Sequence, residues 1–86
     1  MTEKQVEYLK QLFEQIGCTA RITEQGLELV HSWWTGVIST VDKTIQIEHT
    51  SMNYSDSWTV DDIFHAVNVR SRLIVEERLK LLDLTL

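Results

Sequence analysis

The sequence predicts one small α+β domain in the order α-β-β-β-β-α, a four-stranded antiparallel sheet with two helices packed on one face. Three observations predict it. Apolar residues recur at helical spacing at both ends of the chain, they alternate at period two in between, and the links between the alternating runs are too short for parallel crossovers. At 86 residues the chain holds one thin core and no second domain.

The first helix is expected over about residues 2–16. Val6, Leu9, Leu12, Phe13 and Ile16 fall at helical spacing, with Glu3, Lys4, Glu7, Lys10, Glu14 and Gln15 at the other angles. Thr2 and Gln5 stand at capping-box spacing, and Gly17 sits where a helix ends in a left-handed residue. Strands follow at about 19–24 and 26–31, where Ala20 and Ile22, then Leu27 and Leu29, alternate with polar residues. Thr23-Glu24-Gln25-Gly26 forms the turn between them, with Gly26 available for positive φ. A β-rich run at 33–41 and an alternating run at 44–50, divided by Asp42-Lys43, complete a meander. Ser51 to Ser57 reads as a polar loop. The second helix is expected over about 60–84, capped by Thr59 with Asp62 and carrying Asp61 and Asp62 at its positive end.

That helix is the informative one. Unbroken, it is roughly 37 Å long, against a globule diameter of about 30 Å for a chain of this size. Either it breaks near Asn68-Ser71, a run of weak helix formers, or its end packs on another chain. Its apolar residues cover too wide an arc for one small sheet to bury. Self-association through Val75, Leu79, Leu82 and Leu86 in a homodimer is therefore expected, because a two-fold patch needs no second gene product.

Composition excludes several classes. The longest apolar run is Leu73-Ile74-Val75, far below the roughly 20 residues of a membrane span, and no signal segment opens the chain. One cysteine forms no internal disulfide, so a cytoplasmic setting is expected. A net charge of −5 opposes direct nucleic-acid binding.

Candidate sites are few. Trp33 and Trp34, adjacent in a strand, must point to opposite faces. If Trp33, Val37 and Val41 face the core, then Trp34, Ile38 and the neighbouring Val30 form an apolar island on the other face, and these three are the expected partner-binding residues. The alternative, which the burial statistics of large aromatics favour, packs the second ring under the Ser51 to Ser57 loop or under the C-terminal helix. His31, His49 and His65 show no metal-ligand spacing, so no metal and no cofactor are expected. Asp61 and His65 stand one helical turn apart, the half of a general-base arrangement that is also common on solvated helices. Cys18, at the electronegative end of the first helix, fits a buried apolar residue better than a nucleophile. Arg70, Arg72, Arg78 and Lys80 are interrupted by Glu76 and Glu77, and an acid-first pair such as Glu76 with Lys80 suits a solvated face.

The expected role is a small non-catalytic protein-protein interaction or regulatory module. An acidic inhibitor occupying the nucleic-acid-binding groove of another protein is the alternative, provided that the scattered carboxylates converge. A His/Asp-dependent enzyme ranks third.

Overall fold

The computed structural model describes residues 1–85, and side chains as far as Asp83. A helix, α1 (Glu3–Gln15), precedes strands β1 (Thr19–Thr23), β2 (Gly26–Val30), β3 (Thr35–Ser39), β4 (Thr44–Ile47) and β5 (Thr50–Asn53). A second helix, α2 (Val60–Thr85), closes the chain. The α+β class and the antiparallel meander agree with expectation, with five strands in place of four. The sheet order is β1-β2-β3-β4-β5.

The extra strand comes from a turn that the sequence hides. The expected 44–50 run ends at Ile47, reverses through Glu48 and His49, and pairs Ile47 with Thr50. Glu48 takes φ 53° without the Asn or Gly that normally announces such a turn. The polar loop expected from Ser51 thus begins with a strand in which Met52 faces Ile45. The third strand also shortens, because Trp33 and Trp34 belong to the link that precedes it.

Both helix starts form as their residues dictate. Gln5 and Thr2 exchange hydrogen bonds at 2.8 and 3.2 Å, and Asp62 and Thr59 do so at 2.9 and 3.1 Å, which satisfies donors that an uncapped helix leaves open. Gly17 and Gly26 take positive φ. A side chain at Gly26 would run into the Ile38 carbonyl, so close strand packing as well as turn geometry demands glycine there.

Register explains the core. One row across the sheet reads Ile22, Leu27, Ile38, Ile45, Met52, and the next reads Ala20, Leu29, Gly36, Ile47, Thr50. Both rows face the helices, with Leu9 and Phe13 of α1 and Ile63, Val67 and Ile74 of α2 above them. Phe13 and Phe64 join the helices, ring centroids 4.9 Å apart. The opposite face is polar, with Arg21, Glu28, Val37, Gln46 and Ser51 in one row.

α2 runs without a break through Asn68-Ser71. Its 26 residues span about 39 Å, while a five-residue strand spans about 17 Å. The molecule is accordingly elongated, 46 × 22 × 20 Å.

Candidate functional site

The three residues expected to form an apolar island do not share a face. Trp34 and Ile38 are 4% and 0% exposed, in the core, while Val30 is 53% exposed on the open face. Gly36 is the reason. A Cβ there would lie 2.8 Å from Ile47 Cδ1 and 3.4 Å from the Trp34 ring, so the missing side chain leaves the slot that the indole fills. His31 stacks on the other side of the link, its ring 5.3 Å from that of Trp34, and its N–H donates to the Trp34 carbonyl at 2.8 Å. The signal was present as two large apolar residues of one parity flanking a glycine. On the open face only Val30 and Val37 remain as apolar neighbours, diagonal across β2 and β3.

The other expected set fares differently. Val75, Leu79 and Leu82 lie on one side of α2, spaced by four and three residues, and Leu86 lies outside the described residues. Leu79 is 47% and Leu82 50% exposed, and Val75 is half-buried. Leu81 continues the stripe of Ile63, Val67 and Ile74, yet it is 61% exposed because no sheet lies beneath it. Trp33, Arg78, Leu81 and Leu82 line a shallow apolar trough at this end. The expected Glu76–Lys80 pair does not form. Arg78 instead reaches Glu48 in the β4–β5 turn at 2.7 Å and ties the helix to the sheet where the two part.

The charges divide between the two ends. Glu3, Glu7 and Glu24 line one groove, Asp42 lies in the adjoining β3–β4 turn, Asp56 pairs with Lys43 at 2.8 Å, and Asp61 and Asp62 open α2. Lys4 and Lys43 are the side-chain cations among these seven carboxylates, and the other six acidic residues are matched by six basic ones. The side-chain surplus of five negative charges therefore falls in the segments at this end, where the Met1 α-ammonium offsets part of it. Lys43 holds the Asp56 carboxyl below the usual carboxylate range, by a hydrogen bond first and by charge second.

Among the described residues the histidines, Cys18 and the carboxylates do not form a metal-holding cluster. His65 makes no hydrogen bond or ion pair among the described residues, so the expected Asp61–His65 contact does not form, while the carboxylate of Asp62 accepts from the Thr59 N–H as its capping position predicts. Cys18 is buried, which pushes its thiol pKa up and keeps it protonated. Burial likewise raises Tyr54, whose phenol donates to the Ser39 carbonyl at 3.0 Å. Among the described residues no helix is long and apolar enough to cross a membrane.

The fold and its surfaces define a class, a small α+β domain with a half-covered meander and an overhanging helix. No family model, curated protein or solved structure matches the chain.

Proposed function

We propose that the protein is a non-catalytic interaction module that self-associates through the C-terminal half of α2 and acts in a reducing compartment such as the cytoplasm. The observation that carries this reading is the overhang: Leu79, Leu81 and Leu82 are each about half exposed or more on a helix already fixed by its N-terminal half. Solvated apolar side chains on a rigid element bind with little further loss of entropy. Pairing two such helices antiparallel or parallel would supply the cover that the sheet does not. Light scattering after size exclusion is expected to give twice the chain mass. Leu79→Glu and Leu82→Glu are expected to return it to one chain with the fold intact by circular dichroism. A single-chain mass at high micromolar concentration overturns the proposal.

The gathering of the surplus carboxylates at one end favours a second reading, an acidic inhibitor that enters the nucleic-acid-binding groove of another protein. Such binding weakens steeply with salt. Capture of a basic partner that is insensitive to ionic strength would count against it.

A further inference from the structure

The row of core-facing residues Ile22, Leu27, Ile38, Ile45, Met52 is unevenly covered. Leu27, Ile38 and Ile45 are at most 1% exposed, yet Ile22, which points to the same side, is 42% exposed. The row simply stops at β1, the first strand of the sheet, whose outer edge has no neighbouring strand. Ile22 also forms the outer wall of a groove of about 350 Å³ that runs inward from β1 to Gly26 and Thr40, between the first turns of α1 and the β1–β2 turn. Its apolar lining comes from Met1, Val6 and Ile22, and its carboxylates from Glu3, Glu7 and Glu24. None of these three carboxylates has an ion-pair partner among the described residues. An open strand edge, an unfinished apolar row and three carboxylates outside any ion pair thus meet at Ile22.

We infer that this edge receives an extended segment of a basic partner protein, which adds a strand outside β1. An apolar side chain of that segment lies next to Ile22 as the next member of the row, and lysine or arginine residues two positions before and after it, on the same face, meet Glu3, Glu7 and Glu24. Strand addition supplies affinity through main-chain hydrogen bonds, and the pocket for alternate side chains supplies selectivity. A second copy of this chain does not fit the description, because it brings the same carboxylates to the edge. The inference is independent of self-association through α2. It rests on the acidic-end reading only for the sign of the partner's charge.

The test uses the full chain and a probe of known composition, an acetylated heptapeptide with isoleucine at its centre and lysines two positions before and after it. Amide shifts on titration are expected to concentrate in Met1 to Glu7 and Ala20 to Gly26. Replacing the central isoleucine by serine, or the lysines by glutamate, is expected to weaken binding about tenfold or more, as is Ile22→Ser or the combined Glu3→Gln, Glu7→Gln and Glu24→Gln change. Urea midpoints of the variants show whether they are folded; the peptide series on the unaltered chain decides the matter if they are not. Three results would overturn the inference: no shift at millimolar peptide, shifts centred on the Arg78 end, or equal binding of the serine peptide. The last would leave the acidic end a general attractor of cations, so that the acidic reading stands while the groove fails. The mass of the same samples reports self-association separately.

Discussion

The two halves of α2 both carry apolar residues at helical spacing and have different fates. From Val60 to Ile74 the stripe of Ile63, Val67 and Ile74 is buried against the sheet and α1. Beyond it the same stripe continues to Leu81 with no sheet below. The stripe runs on in both halves, so what separates them is the length of the strands beneath. Burial of an apolar face is thus a property of the layer beneath it, and a helix more than twice as long as its strands must present leucines to water or to another molecule.

The largest test of that contrast is a pair of truncations. Ile63→Ala removes a fully buried side chain and is expected to cost about 2–5 kcal/mol, a large part of the stability of so small a domain. Leu81→Ala, on the same stripe, is expected to stay within about 0.5 kcal/mol at chain concentrations where the mass is that of one chain. Urea unfolding followed by circular dichroism measures both. Equal losses would mean that the two halves are equally backed. Gly26→Ala comes next: φ at Gly26 is +148° and a Cβ meets the Ile38 carbonyl, so the backbone conformation alone is expected to cost about 1–3 kcal/mol. Thr59→Ala deprives α2 of its cap and is expected to cost about 1 kcal/mol, measured in the same way. Since it acts at the backed end, it should lower the unfolding midpoint without changing the chain's mass.

Much of this contrast is legible in the sequence, and the reasons for the exceptions are physical. The capping pairs Thr2 with Gln5 and Thr59 with Asp62 are local, so their spacing suffices to find them. The length of α2 is likewise local, and its overhang follows from arithmetic on chain size. The orientation of β3 is only partly local. Trp34 and Ile38 flank Gly36 at one parity, but whether Gly36 is a gap or a slot depends on the Ile47 side chain arriving from β4. β5 was hidden because Glu48 and His49 carry no turn signature and Thr50, Ser51 and Asn53 no apolar pattern. The strand forms because Met52 completes a row begun by residues thirty positions earlier. The uneven cover of Ile22 was equally invisible, since alternation shows which way a side chain points but not whether anything lies over it.

The junction between the halves of α2 can be weighed directly. Arg78 and Glu48, 2.7 Å apart and partly exposed, are thirty residues apart in sequence, and their pair holds the helix to the β4–β5 turn at the last point of support. A double-mutant cycle with Arg78→Ala and Glu48→Ala is expected to return a coupling of about 0.2–1 kcal/mol. A coupling near zero would move the functional start of the overhang back to Ile74.

The smallest expected effect lies at the acidic end, where Asp56 and Lys43 make an exposed pair. Lys43 lowers the Asp56 pKa in the folded chain, whereas the unfolded carboxyl titrates near its ordinary value of about 3.9. A depressed folded value means that the unfolded state binds the proton more readily, so stability rises with pH across the interval between the two values. The contribution is therefore complete above the unfolded pKa and is lost as pH falls through the folded one. Comparing urea midpoints of the unaltered chain and Asp56→Asn from neutral pH downward should show a small difference that is constant to about pH 5 and shrinks below about pH 4. Greater exposure keeps that difference below the Arg78–Glu48 coupling, because water and salt screen the Lys43–Asp56 pair more. A larger effect at Asp56 than at Arg78 would mean that the acidic end, and not the helix junction, carries the stronger electrostatic tie.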